Sequence, residues 1–445
     1  MALLSNPLRR KNSALDHIPG SLDVREGLRM LRAPTRFFEE RFQRYGAVFK
    51  TRTIFPVVFL VGAEANQTIM ITQRDDFSYR GGYGALALGR TFANSIMLVD
   101  GDDHKRLRTI LTPAVGKLAV RDSEQRVHEI WSRRLDDMAR NGSQDVYQAS
   151  QKTTFDVAAN TLSGLALGDE IERFRPHFEQ VIDGTMAATQ YRVPFGKLDR
   201  GLRAREHLID LMRSKVRAAR TGDAHGLMGH LAQHRDDDGS QLAADEVSAH
   251  VLMLMWAAYD TTASATSWVL HVLARRPEWQ QRLRAEATAV LGDAAATSQS
   301  AHKLTETTWF LREIERMYPS VLFFPRTVER DFEFRGFQIP QGTATYYSPY
   351  LSHRDPASFN EPNRFDPDRW DPKSPGRKAR GSSLVGFGGG PRVCLGKAFA
   401  QLQMKILITS LVRRYRLRVD PSATPTIQGL PIHHPNNSRV TLQPL

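Results

Sequence analysis

A chain of 445 residues with 41% hydrophobic side chains is long enough to bury a large core, and its single cysteine excludes an internal disulfide. The formal charge of +13 is scattered rather than blocked, and with no long Lys/Arg run or zinc-knuckle spacing, nucleic-acid binding is not expected. No stretch reaches the ~18 uninterrupted apolar residues of a membrane span, and the N-terminal Met1-Ala-Leu-Leu-Ser-Asn-Pro-Leu-Arg-Arg-Lys11 lacks the apolar core of a secretory signal. A cytoplasmic location is the expectation.

Residues 47–53 (AVFKTRT) and 57–61 (VVFLV), separated by a short turn with Pro56, predict a two-stranded hairpin within a β-rich portion at roughly 20–65. From about 100 to 320 the apolar spacing is helical, with breaks at Gly142-Ser143, Pro194-Phe195-Gly196, Asp236–Gly239 and Gly292. The segment 243–275 stands out because its middle, His250 to Ala258, is apolar on nearly every side. Such a helix is buried, and at ~1.5 Å per residue it runs about 50 Å, the width of a whole domain. Past residue 330, Phe332–Ile339 alternates and Pro340-Gln-Gly342 predicts a turn, giving a second β-rich portion at roughly 325–350. Residues 371–383 form a polar connector, and a last apolar helix covers roughly 396–414. The fold class expected is mainly α with a minor β portion, a single domain over 1–445 built around one long central helix.

The densest chemical signal is Phe387-Gly-Gly-Gly-Pro-Arg-Val-Cys394-Leu-Gly396, directly before that last helix. Three consecutive glycines disfavour helix and strand and suit a tight loop with close backbone approach. A cysteine there has a helix N-terminus and nearby amides to favour its thiolate, the form that ligates a metal. Two other readings stay open on the residues alone. A lone cysteine is usually a small buried hydrophobe. A glycine loop can also cradle phosphate, although the Lys-Ser/Thr of a P-loop is missing here.

This segment resembles the haem loop of the cytochrome P-450 superfamily, Phe-x-x-Gly-x-Arg-x-Cys-x-Gly, and Phe387, Gly390, Arg392, Cys394 and Gly396 match each defined position. The resemblance implies a single large haem-thiolate monooxygenase fold. It also implies haem b (iron protoporphyrin IX) held through Cys394, a thiolate whose electron push favours O–O cleavage. Phe387 would pack beside the sulfur and Arg392 would contact a haem propionate. Glu313-Ile-Glu-Arg316 is similar to the family's Glu-x-x-Arg, and Phe365-Asp-Pro-Asp-Arg369-Trp370 to the segment whose arginine completes a buried triad. Glu313, Arg316 and Arg369 would then hold the loop under the haem. Taken alone, an i, i+3 pair such as Glu313/Arg316 is more often a surface salt bridge.

Within the central helix, Ala257-Ala-Tyr-Asp260-Thr261-Thr262 looks like the family's Ala-Gly-x-Asp/Glu-Thr, with Ala258 where glycine is more usual. An Asp in an apolar helix is costly without a partner or a task. By resemblance, the Thr261 hydroxyl would hydrogen-bond dioxygen while Asp260 supplies protons through water. Read without the family, Asp260 is equally a helix-face acid reaching a neighbouring arginine. His104 and Arg108 share one helical face at i, i+4 and resemble the early haem-contact helix, where tryptophan is frequent in place of His104. Arg326, in Phe323-Phe-Pro-Arg326, matches the arginine following the Glu-x-x-Arg helix. Arginine forks suit the two haem carboxylates, and Tyr79 or Arg80 would add a contact.

The reaction implied is insertion of one atom of dioxygen into a lipophilic small molecule. Electrons would come from NAD(P)H through a ferredoxin or flavodoxin-type donor and its reductase, since no such module is fused. A basic face around Arg392 and Lys397 would suit an acidic donor, and salt-sensitive electron transfer is its test. The pocket would draw on the loop 80–95, the region 186–198, Trp256, Tyr259, Leu322-Phe-Phe324 and Leu430-Pro-Ile432. Segments such as Ser348-Pro-Tyr-Leu-Ser-His353-Arg-Asp-Pro look more like the branch acting on sterols and retinoids than the camphor-type branch. Alternatives are a haem–thiolate peroxygenase or isomerase, which Asp260-Thr261 argues against, and a non-catalytic haem sensor. A monomer is expected.

Overall fold

The helix Ala244–Ala274 runs 31 residues without a break, as the continuous apolar stretch predicts. Asp245 and Glu246 occupy its first turn, where the helix dipole favours negative charge. It stops at Arg275 because Arg276 precedes Pro277, which disfavours helical backbone at residue 276 and opens the next helix, Pro277–Leu291. The computed structural model describes residues 14–445 except 54, 85–87, 188–190, 223–225, 237–238 and 375–380. Parts of the expected pocket loops 80–95 and 186–198, of the break at 236–239 and of the connector 371–383 therefore lie outside the described residues. Among the described residues, no helix is long and apolar enough to cross a membrane.

The chain forms two compact units, each assembled from separate stretches. The first comprises Met1–Tyr83, Glu315–Cys394 and Gln428–His433. Its five-stranded sheet runs in the order Val48–Arg52, Pro56–Leu60, Ala344–Tyr347, Phe324–Val328 and Phe77–Ser78. The expected hairpin pairs Phe49 with Phe59, whose rings stack at 5.0 Å. Pro56–Leu60 then runs parallel to Ala344–Tyr347, with Val58 opposite Thr345. The alternating stretch 332–339 proves to be two short strands, Phe332–Phe334 and Phe337–Ile339. Arg335 and Gly336, both at positive φ, reverse the chain between them in a tight hairpin turn. The turn expected at 340–342 also forms, with the Thr343 N–H donating to the Pro340 carbonyl.

The second unit comprises Gly84–Ile314, Leu395–Ile427 and His434–Leu445. Here the central helix packs against Val146–Ser163, Lys197–Thr221 and Lys397–Arg414. Val247, Val251, Leu252, Met255, Trp268 and Leu273 are buried along it. Burial of such side chains stabilises by about 1.5–3 kcal/mol each. The cover breaks over residues 256–261, each of which keeps some exposure, so the most chemically informative turn is also the least packed.

Candidate active site

The loop 387–394 closes on itself: the Cys394 N–H donates to the Phe387 carbonyl at 2.8 Å, and the Val393 N–H to the Gly390 carbonyl at 3.1 Å. Gly390-Pro391-Arg392 makes a single 3₁₀ turn. Gly390 has φ +57°, and a Cβ there would lie 2.2 Å from the Met70 carbonyl oxygen. Any other residue would displace the loop. Cys394 is exposed rather than packed as a small buried hydrophobe, and Phe387 and Arg392 are half-buried. Gly396 occupies the N-cap position of Lys397–Arg414, its carbonyl taking the first helical hydrogen bond from Ala400 at 2.8 Å.

Two guanidinium groups meet at one aromatic ring. Arg326 lies 3.2 Å and Arg392 4.0 Å from the Tyr79 ring centroid, and Arg326 also sits 5.1 Å from that of Tyr347. Arg326 is almost wholly buried, and its Nε has no hydrogen-bond partner. Orphaned buried donors are rare in folded proteins and call for a partner. Paired arginine forks, one of them short of an acceptor, fit the carboxylates of a haem. Among the described residues no three His, Cys, Asp or Glu side chains gather as a metal-binding group. An exposed thiol at the end of a glycine loop suits a metal whose other ligands come with a macrocycle.

A second group of expected site residues forms a buried scaffold. Glu313 and Arg316 are completely buried one turn apart on the helix Thr305–Met317. Arg316 donates from Nη1 to the carbonyls of His353 (3.0 Å) and Pro362 (2.6 Å), and from Nη2 to that of Arg364 (2.9 Å). Arg369, also buried, donates to the carbonyls of Asn360 (2.8 Å) and Arg364 (3.1 Å). The two arginines thus converge on one backbone oxygen and shape the segment 360–364. The surface salt-bridge reading of Glu313 and Arg316 fails on burial.

His353 belongs to this scaffold, and motif reasoning gave it no role. Its Nδ1 lies 3.1 Å from the Arg316 carbonyl, and its Nε2 accepts the Val385 N–H at 2.9 Å. That pairing requires the neutral Nδ1–H tautomer. Burial, followed by the neighbouring Arg316 charge, holds its pKa down to about 3. Burial and Arg275 do the same for His271, whose Nδ1 meets the Ser438 hydroxyl at 2.8 Å. In the unfolded chain both titrate near 6.5. Between pH 6.5 and about 3 the unfolded state therefore binds protons that the folded state refuses, so stability is full above 6.5 and lost as pH falls. At pH 5 each histidine should cost roughly 2 kcal/mol. Urea midpoints at pH 7 and pH 5 test this, and His353→Gln should flatten the slope between them. An equal slope would remove His353 from the account.

In the second unit, His104 and Arg108 lie at i, i+4 on the helix Gly101–Val115, His104 buried and Arg108 half-buried. On the central helix the two halves of the Asp260–Thr261 pair take different partners. The Thr261 hydroxyl donates to the Ala257 carbonyl at 2.7 Å. Asp260 Oδ1 instead accepts from the Tyr147 hydroxyl at 2.5 Å and from Gln151 Nε2 at 3.3 Å. Among the described residues no arginine takes part, and the expected arginine partner of Asp260 is replaced by a tyrosine and an amide. Nearby, Trp256 Nε1 donates to the Thr185 hydroxyl at 3.2 Å, and Tyr259 stands edge-on to Phe155 and Phe178.

A cytochrome P450 family model matches residues 27–440. Putative cytochrome P450 136 of Mycobacterium tuberculosis is 30% identical over 86% of this chain and 81% of its own length. Human cytochrome P450 26C1 is 30% identical over 94% of this chain and 86% of its own. Among solved structures, retinoic acid bound cyanobacterial CYP120A1 superposes with a TM-score of 0.87 at 26% identity, covering 96% of this chain and 99% of that one. With its glycine-braced thiol, its paired arginines and a matching family model over most of its length, the chain belongs to the cytochrome P450 family of haem-thiolate monooxygenases.

Proposed function

We propose that this protein oxidises an elongated lipophilic molecule, of retinoid or related isoprenoid character, with Cys394 as the residue whose thiolate would hold the haem iron. The single observation that carries the ligand assignment is the exposed Cys394 sulfur at the end of a self-closed loop, in a chain with no other cysteine. Support for the substrate class comes from the likeness to a retinoic acid bound structure and from part-exposed Trp256 and Tyr259 on the central helix. Such apolar and aromatic side chains with few polar groups suit a mostly hydrophobic ligand. Electrons arrive from NAD(P)H through a separate ferredoxin or flavodoxin-type protein and its reductase.

Bound haem supplies the activation of dioxygen, one atom of which enters the substrate. The protein's own tasks follow from its side chains. Arg326, Arg392, His104 and Arg108 would hold the propionate carboxylates of a bound haem, the arginines fork against oxygen. Phe387 would pack beside the sulfur. Thr261 offers a hydroxyl to dioxygen, exchanging its bond to the Ala257 carbonyl, and Asp260 takes protons from water and passes them on.

Purified holoprotein titrated with a panel of retinoids, sterols, terpenes and small aromatic compounds tests the assignment. A ligand that displaces distal water shifts the ferric Soret band, and micromolar shifts confined to elongated isoprenoids are the expected result. Tight shifts from small aromatic compounds alone would replace the substrate class. Turnover with hydrogen peroxide but none with dioxygen and reductant would replace the reaction.

A further inference from the structure

We infer that Tyr147 is the positioning residue for Asp260, fixing through its hydroxyl the carboxylate that feeds protons to the reaction. The inference rests on the reading of Asp260 as that acid. The start of the helix Val146–Ser163 is set by Asp145, whose side chain accepts the N–H groups of Tyr147 and Gln148 at 3.0 Å. This cap aims one face of the helix, residues 147 and 151 at i, i+4, at a single oxygen of Asp260. Two further contacts hold the pair in place. The Tyr147 ring stacks on His434 at 3.7 Å with an interplanar angle of 7°. One turn beyond Gln151, the Thr154 hydroxyl donates to the Tyr259 carbonyl at 3.1 Å, tying that helix to the residue before Asp260.

A carboxylate on a helix has several rotamers, and one that exchanges protons must return to the same place each cycle. With two donors on Oδ1, the rotamer is set, and among the described residues Oδ2 is left for water. Tyr147 suits the holding task, because burial and then the adjacent Asp260 charge raise its pKa above the usual phenol value, keeping it a donor throughout the working pH range. A phenol hydroxyl is a stronger donor than an amide N–H, so Tyr147 dominates over Gln151.

The test compares Tyr147→Phe, Asp260→Asn and the double variant as holoenzymes, with infrared spectra of each. Tyr147→Phe should retain haem and the ligand-induced Soret shift, lower kcat about tenfold, a minor part of the 10²–10⁴ that a positioned acid supplies, and raise the solvent deuterium isotope effect. The double variant should be no slower than Asp260→Asn. The Asp260 carboxylate stretch, isolated as wild type minus Asp260→Asn, should move in Tyr147→Phe. Gln151→Leu gives a second probe of the same oxygen, with a smaller fall in kcat and a smaller band shift expected. An unmoved band in Tyr147→Phe, or wild-type kcat and isotope effect alongside a slow Asp260→Asn, overturns the inference and leaves the acid role standing. Wild-type kcat in Asp260→Asn overturns the acid role, and the inference with it.

Discussion

Cys394→Ala is expected to erase the long-wavelength band of the reduced, carbon-monoxide-treated protein and to lower monooxygenase turnover by at least about a thousandfold, roughly 4 kcal/mol of barrier. The effect should be this complete because no second cysteine exists to substitute. The electron push that favours O–O cleavage belongs to a thiolate and not to a neutral donor. Cys394→His should accordingly retain some haem while losing both the band and the turnover. The same substitutions should leave the haem-free fold nearly untouched. The Cys394 side chain is exposed, and exposed substitutions away from special features usually fall within about 0.5 kcal/mol. Chemical denaturation of the haem-free protein separates the two. Persistence of the band in Cys394→Ala would refute thiolate ligation, and a large loss of haem-free stability would mean that the sulfur has a packing role.

Arg316→Ala should show the opposite signature, with haem lost because its support collapses. Arg316 is wholly buried and serves three backbone carbonyls, those of His353, Pro362 and Arg364. Truncation strips the His353 and Pro362 carbonyls of these donors and leaves that of Arg364 with Arg369 alone. Leaving buried backbone carbonyls unsatisfied in this way costs about 1–3 kcal/mol each. Arg316→Lys keeps the charge but concentrates its donors on one nitrogen, which cannot reach carbonyls served by separate Nη1 and Nη2 atoms. It should recover only part of the loss. Denaturant midpoints and haem content per protein measure both variants. A Lys variant equal to wild type would show that charge alone matters, and an Ala variant of full stability would exclude the scaffold role.

Much of this architecture is legible in local sequence. The central helix is announced by apolar residues too numerous for one face and too long for a strand, and its observed limits, Ala244 and Ala274, fall within a residue of expectation. The loop at 387–396 is legible because three glycines and a cysteine before a helix have few structural uses. The hairpin reversal at Arg335–Gly336 was hidden, since a non-glycine residue at positive φ interrupts what reads as plain alternation. His353 and Tyr147 were hidden for another reason. Their partners, Arg316 and Val385 for one and Asp260 for the other, are distant in sequence, and no periodicity encodes such pairs. The clue for His353 was a histidine inside an otherwise apolar and hydroxylated segment. The clue for Tyr147 was its place two residues after a capping Asp. Each pattern is too common in sequences to single out its residue.

The parallel pairing of Pro56–Leu60 with Ala344–Tyr347 has a bearing on biosynthesis. A ribosome making this chain delivers the first strand long before its parallel neighbour, which follows hundreds of residues later. Until then the nascent hairpin at 48–60 has an open apolar border, of the kind that templates aggregation. Contacts so remote in sequence also make assembly slow. Recombinant yield should therefore depend on synthesis temperature and on chaperone capacity more than the stability of the finished enzyme would suggest.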